Sequence, residues 1–427
     1  MDSIIIEGGV PLMGEVAISG SKNAVLPLMV AALLTDEKVV LRGAPRLADT
    51  RTLADVLRVL GVEVEEFGTG ADEGIALHMH KPIATRAPYE LVAKMRAGFW
   101  VIGPLLARMG EAQVSLPGGC AIGTRPVDLY LQGLAALGAD IQVEGGYVNA
   151  TAKSGLKGAR IDLPFVSVGV THVLMMAACL ADGETRIINA ACEPEIVDLG
   201  RCLMQMGAHI EGLGTRDVRI IGTSHLSGTD YVVSRDRIEA GAYALAIAAS
   251  HGTATLTGIT TQILGALAPA MRDAGINIAD SGTKQAPAIK ICASQNRPRP
   301  TSITTAPYPG FATDLQAPFM GLMCCADGIS RIRETIFENR FMHVQELVRL
   351  GADIRLAGDM AIVTGVPQLY GAPVMATDLR ASVTLVIAGL MAQGQTIINR
   401  VYHLDRGYER LEEKLSACGA RIWRETK

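Results

Sequence analysis

The stretch Val114-Ser-Leu-Pro-Gly-Gly-Cys-Ala-Ile-Gly-Thr-Arg-Pro126 sets a single thiol, Cys120, among glycines and just ahead of a guanidinium, Arg125. Pro117, Gly118, Gly119 and Gly123 give a backbone that can swing or approach a ligand closely. A cation this near in sequence lowers a thiol's pKa, and the thiolate is the reactive form. These residues predict a mobile loop presenting an activated cysteine beside an anion-binding arginine. The plainer alternative is a surface turn with an incidental cysteine.

A second set of chemical residues stands where apolar helices begin. The starts read Ser21-Lys22-Asn23, Met95-Arg96-Ala97, Ser167-Val168-Gly169, Arg237-Ile-Glu239, Thr313-Asp314-Leu315 and Asp378-Leu379-Arg380. Hydroxyl and acidic residues are expected there as caps. Lys22, Arg96 and Arg380 are not, because a cation at a helix N-terminus opposes the macrodipole. Any one of them alone reads as a solvated side chain curling away. Three in matching places point to an anionic ligand shared with the free backbone N–H groups.

The elements that must position these residues come from a repeat. An amphipathic helix ending in glycine and followed by a short alternating strand appears at Leu60-Gly61, Leu137-Gly138, Met206-Gly207, Ala274-Gly275, Leu350-Gly351 and Cys418-Gly419. The glycines are 68 to 77 residues apart, and each fits a helix C-terminus that turns directly into a strand. A second signature runs in phase: an apolar helix ending near Gly110, Gly183, Gly252, Gly328 and Gly394, with Thr35-Asp-Glu-Lys38 in the first copy. Six units of about 70 residues follow, and chain length favours two three-unit α/β domains over one solenoid. Helices such as Val173–Leu180 are apolar nearly all round, so they belong inside a domain with sheets wrapped outside. Periodicity does not say how three units close.

Composition narrows the function classes. Aromatic residues make up only 4% of the 427, which argues against a base-stacking surface, and the formal net charge of −4 argues against a polyanion-binding footprint. No nucleic-acid partner is expected, and anion recognition must be local. The eight cysteines form no CxxC pair, so neither a metal site nor a disulfide framework is suggested. Cys179, Cys324 and Cys325 read as small core residues. The opening Met-Asp-Ser-Ile-Ile-Ile has no basic segment and no long apolar run, so no signal peptide is expected. The apolar run 24–34 is interrupted by Pro27 and too short for a bilayer, so no membrane partner is expected either. The expected compartment is a reducing cytoplasm.

Taken together, these motifs resemble the UDP-N-acetylglucosamine enolpyruvyl transferase family. The match runs essentially end to end through Ser19-Gly-Ser-Lys22-Asn23, Met95-Arg96-Ala, Pro117–Leu129, Val166-Ser-Val-Gly169 and Glu193-Pro-Glu195-Ile-Val-Asp198. It continues through Thr313-Asp314, Phe337-Glu-Asn-Arg340-Phe-Met-His343, Thr377-Asp-Leu-Arg380 and Asp405-Arg406-Gly-Tyr-Glu409. The resemblance implies a two-domain inside-out α/β barrel fold, three units per domain. One domain would span 22–234, and the other 1–21 with 235–427, the strand near Ser3–Glu7 completing the latter. It implies transfer of the enolpyruvyl group of phosphoenolpyruvate to the 3-hydroxyl of UDP-N-acetylglucosamine, with no metal or redox cofactor.

By the same resemblance Cys120 is the proton-donating loop thiol and Asp314 the carboxylate that takes the hydroxyl proton. Lys22, Arg125 and Arg406 match phosphate-facing cations, Arg340 and Arg380 carboxylate-facing ones. Asn23, Arg96, Arg125, Pro126, Val127, Asp128 and Leu129 align with the nucleotide-sugar pocket, as do Phe165, Val166, Ser167, Val168, Gly169 and Ile336. Each has a plainer alternative: Asp314 and Asp378 could cap helices, Arg340 could be a surface ion-pair partner, and Glu193 and Glu195 charged loop residues.

Two positions depart from the pattern. Tyr130 stands where many members carry His; an aromatic ring can still stack on a uracil, so the pocket is expected to survive. Cys192 replaces the usual Arg before Glu193, removing one charge. The runner-up reading is a paralogue that transfers enolpyruvate to another uridine nucleotide or to shikimate 3-phosphate; the Gly-Gly-Cys loop and the Arg125–Leu129 segment speak against the shikimate version. A catalytically silent nucleotide-sugar binder is disfavoured by the joint presence of Cys120, Asp314 and Lys22.

Overall fold

The computed structural model describes residues 2–80, 84–118 and 127–426. Among these, six four-stranded sheets repeat one pattern: a parallel pair, then two antiparallel pairs. Two compact units divide the chain, one within 20–234 and the other from 2–19 with 235–426. Each holds three of the sheets.

The repeat glycines explain how helix passes to strand. Gly61, Gly138, Gly207, Gly275, Gly351 and Gly419 all have φ between 87° and 107°, a region closed to most side chains, and each stands just past the C-cap residue of a helix. The second signature keeps this device at Gly110, Gly183, Gly328 and Gly394 but not at Gly252. There His251 takes the left-handed turn at φ 55°, and Gly252 is needed for space, since a Cβ would lie 2.3 Å from the Leu12 carbonyl oxygen.

The apolar helices are buried as their composition requires. All thirteen residues of Arg237–Ala249 are buried, as are 170–178 of Val168–Ala178 and 380–390 of Leu379–Met391. Pro27 does not end its helix, Lys22–Ala31; it removes one intrahelical bond, as Pro318 does in Thr313–Met323.

Closure, which periodicity left open, comes from strands distant in sequence. In the 20–234 unit, Thr229–Val232 lies parallel to Val39–Arg42 and completes the first sheet with the last strand. In the other, Ser3–Glu7 sits between Gln395–Asn399 and Arg421–Glu425, antiparallel to both, and Met13–Ala17 lies parallel to Thr253–Thr257. Each unit has its own apolar core, one running from Ala24 to Val233, the other combining Ile4–Ile18 with residues 238–422. No helix of the described residues is long and apolar enough to cross a membrane.

Candidate active site

In the 20–234 unit the site begins at the first turn of Lys22–Ala31. Ser21 caps this helix, its hydroxyl accepting from the Ala24 N–H at 3.3 Å. The Lys22 ammonium meets the Asp49 carboxylate at 3.1 Å, with side chains only 13% and 6% exposed. A cation at a helix start is thus held by a carboxylate at the start of the next helix, Ala48–Val59, which the sequence reading did not single out. Asn23 is half-buried beside it.

Three of the expected pocket motifs converge on Tyr130. Arg96 opens a 3-10 turn, Arg96–Val101, in place of an α-helix, and its guanidinium carbon lies 6.0 Å from the Tyr130 ring centre. The Trp100 indole donates to the Tyr130 hydroxyl at 3.4 Å, and Phe99 meets the ring edge-on at 5.5 Å. Gly169 is required by this packing: a Cβ there would lie 2.1 Å from the Tyr130 hydroxyl. Tyr130 is only 4% exposed, which corrects the expectation that its face is offered to a uracil. The helix Asp128–Ala136 turns Tyr130, Gly133 and Leu134 inward together, leaving Asp128 exposed and Val127 and Leu129 half-buried. Phe165 supplies an open apolar surface instead, 59% exposed, next to half-buried Val166, Ser167 and Val168. Cys120, Arg125 and Pro126 lie outside the described residues.

In the other unit the chemistry gathers at the start of Thr313–Met323. Ala312 is the N-cap, so Asp314 is the helix's second residue. Its two carboxylate oxygens meet two guanidiniums, Arg340 Nη2 and Arg380 Nη2, each at 2.7 Å. Arg340 is no surface residue: its side chain is 6% exposed, that of Arg380 8%. The Arg340 Nε–H is buried without a partner among the described residues. Burial disfavours the Arg380 charge, but Asp314 and then Tyr408 and Asp236 outweigh it and hold its pKa raised. Asp378 is a cap, accepting from the N–H groups of Arg380 at 2.8 Å and Ala381 at 3.0 Å. His343, between the fields of Arg340 and Asp378, is fully buried, and burial first and Arg340 second lower its pKa to about 4.

Two further groups in this unit position the site. Glu334, 4% exposed, accepts from the Thr313 hydroxyl at 2.9 Å and from the Ile336 N–H at 2.8 Å. It thereby ties the start of the Asp314 helix to the loop carrying Ile336, whose side chain is 36% exposed. Nothing in its local sequence marks Glu334 out. Arg406 ends the turn Val401–Arg406, half-buried, and packing of that turn on Leu379–Met391 requires Gly407, where a Cβ would lie 2.7 Å from Leu379. A cavity of about 420 Å³ in the same unit, lined by Gly8, His251, Arg297 and Cys325, contains none of these residues.

The remaining expectations divide. Glu193 and Glu195 are not loop residues bordering a cleft: Glu193 stands at the start of Pro194–Gln205 and Glu195 is in its first turn, both buried. Cys324 is buried, and Cys325 is half-buried just beyond the helix end. The thiol of Cys192 feels the field of Arg216, whose Nη1 donates to the Ala190 carbonyl at 3.2 Å. A cation absent at position 192 is therefore present beside it from a distant hairpin.

Comparison with known proteins extends this picture. Residues 6–415 match the family described as EPSP synthase (3-phosphoshikimate 1-carboxyvinyltransferase). The chain is 57% identical, over 99% of both sequences, to the UDP-N-acetylglucosamine 1-carboxyvinyltransferase of a Chelativorans species, and 55% identical over the same shares to that of Agrobacterium fabrum. Among solved structures it resembles the enolpyruvyl transferase NikO from Streptomyces tendae, with a TM-score of 0.88 and 26% identity over 100% of this chain and 99% of that one. It shares its fold with EPSP synthase from Acinetobacter baumannii, TM-score 0.75 at 19% identity over 100% of both.

Proposed function

The chain belongs to the EPSP synthase family of enolpyruvyl transferases, and from that premise we propose that it transfers the enolpyruvyl group of phosphoenolpyruvate to the 3-hydroxyl of UDP-N-acetylglucosamine, releasing phosphate. This is the first committed step of peptidoglycan synthesis, and we place it in the cytoplasm. The acceptor is the one named for relatives matched along 99% of their length. Beyond kinship, the observation that carries the reading is the Asp314 carboxylate held between two buried guanidiniums, one with a donor that has no partner among the described residues.

The reaction adds the sugar hydroxyl oxygen to C2 of phosphoenolpyruvate while a proton goes to the methylene carbon. The tetrahedral intermediate then loses phosphate and returns a methylene proton. In this reading Asp314 takes the hydroxyl proton and Cys120 delivers the one bound for carbon. Arg340 and Arg380 turn to the substrate carboxylate, using bidentate geometry and the Arg340 Nε–H that is unpaired among the described residues. As they leave Asp314, its carboxylate loses the fields that favour its ionised form and becomes a better base. Lys22, Arg125 and Arg406 neutralise the phosphate. Asn23, Arg96, Val127–Leu129, Phe165–Gly169 and Ile336 hold the nucleotide sugar, Phe165 and Ile336 providing the exposed apolar surface.

Phosphate release from phosphoenolpyruvate, followed with and without UDP-N-acetylglucosamine, tests the proposal. Release should require the nucleotide sugar and vanish at neutral pH in Cys120→Ala, while nucleotide-sugar binding survives. Absence of release with this acceptor from a folded chain overturns the reading.

A further inference from the structure

We propose that Glu63, His78 and His80 form a surface site for a divalent transition metal of the zinc class, separate from the enolpyruvyl chemistry. The strands Glu63–Phe67 and Gly74–His78 pair antiparallel with Glu63 directly opposite His78, so both side chains leave the same face. His80, two residues on, returns to that face, and the two imidazole centres lie 3.6 Å apart. His80 Nε2 is 4.0 Å from Glu63 Oε2, and each residue offers a ligand atom within 4.8 Å of the others.

These separations suit a metal after small side-chain movements. Zinc bonds of about 2.1 Å place tetrahedral ligand atoms roughly 3.4 Å apart. The Glu63 and His80 side chains, 75% and 63% exposed, are free of the packing that would block such a rotation.

The second observation concerns His78. Its Nε2 lies 3.0 Å from the Asp36 carbonyl oxygen. A carbonyl only accepts, so Nε2 carries the hydrogen and Nδ1 keeps the lone pair. An imidazole whose far nitrogen donates to a backbone carbonyl has its tautomer and orientation fixed for metal binding. Two imidazoles and a carboxylate, without thiolate, select zinc, cobalt, nickel or copper over calcium and magnesium. Three protein ligands leave one position for water. A bound ion there would fasten the end of this hairpin, through His78, to the segment carrying Asp36. None of the three residues belongs to the proposed substrate pocket.

The test titrates the metal-stripped full chain with Co²⁺ and then Zn²⁺ in competition, reading the cobalt absorption. We expect one equivalent bound with a spectrum lacking thiolate charge-transfer bands. Affinity should fall by about tenfold or more in Glu63→Gln, and binding should be lost in the His78→Ala/His80→Ala double variant, with circular dichroism and phosphate release unchanged. No binding at millimolar metal overturns the proposal. So does undiminished binding in the double variant, or a thiolate spectrum, which would place the metal on cysteines.

Discussion

The starts of two buried helices, one in each unit, solve the same electrostatic problem differently. Lys22 and Arg380 each put a cation where the helix dipole is positive, and each helix is capped by an adjacent side chain, Ser21 or Asp378. At the first, a compact ammonium faces Asp49 from a neighbouring helix. At the second, Asp314 stands between two planar guanidiniums, one oxygen to each. The helix that supplies Asp314, Thr313–Met323, resembles Lys22–Ala31 in a further respect: Pro27 and Pro318 withhold the intrahelical bond from the carbonyls of Asn23 and Asp314, four residues earlier in each. The same helix architecture thus carries a point charge in one unit and a fork around a carboxylate in the other. A point charge suits a phosphate that changes its bonding, whereas a fork suits a planar carboxylate that stays bound throughout.

Asp314→Asn breaks the second arrangement most severely. Turnover should fall by about a thousandfold, the scale of a lost general base. Stability should fall by about 2 kcal/mol, because two buried guanidiniums lose their shared counter-charge while partial exposure of Asp314 softens the loss. Phosphate-release kinetics and urea unfolding check the two effects separately. Full turnover in Asp314→Asn would remove the proton-acceptor role.

Lys22 sharpens the comparison. Lys22→Arg should not restore a point-charge site, because the guanidinium is larger and directs its donors in a plane. We expect kcat/KM for phosphoenolpyruvate to fall by roughly a hundredfold in Lys22→Met and nearly as far in Lys22→Arg. Arg380→Lys, the reverse exchange, should raise KM for phosphoenolpyruvate. Wild-type kinetics in Lys22→Arg would show that charge alone, not its shape, matters at this helix start.

The contrast also shows which features a sequence can display. Lys22, Arg96 and Arg380 were conspicuous because each breaks a local rule for helix starts, and the six glycines because left-handed turns are a local requirement. Asp49 and Glu334 were silent: a carboxylate opposite a cation or beneath a loop is chosen by tertiary proximity, and neither carries a local signature. For the same reason the sequence leaves a surface ion pair open as the plainer alternative for Arg340, since its burial depends on a carboxylate 26 positions earlier. Tyr130 is hard to place from sequence because its neighbours Asp128 and Leu129 lie in the stretch that resembles the family's pocket motif, while its own position on the helix turns it inward, into space left by Gly169. Closure of each unit was illegible because a parallel pair such as Thr229–Val232 with Val39–Arg42 joins segments about 190 residues apart.

The smallest expected effect separates holding the helix from holding the substrate. Asp378 accepts two backbone N–H groups at 2.8 and 3.0 Å, whereas Ser21 accepts one at 3.3 Å. A charged acceptor near a helix N-terminus also gains from the dipole, which a hydroxyl does much less. Asp378→Ala should therefore cost about 1.5 kcal/mol of unfolding free energy and Ser21→Ala about 0.5 kcal/mol, both measured by urea titration. Arg380 remains clamped to Asp314 when its cap is removed, so kcat in Asp378→Ala should change by less than about threefold. A collapse of kcat with unchanged stability would move Asp378 from the helix into the reaction, and the two helix starts would then differ in chemistry as well as in charge geometry.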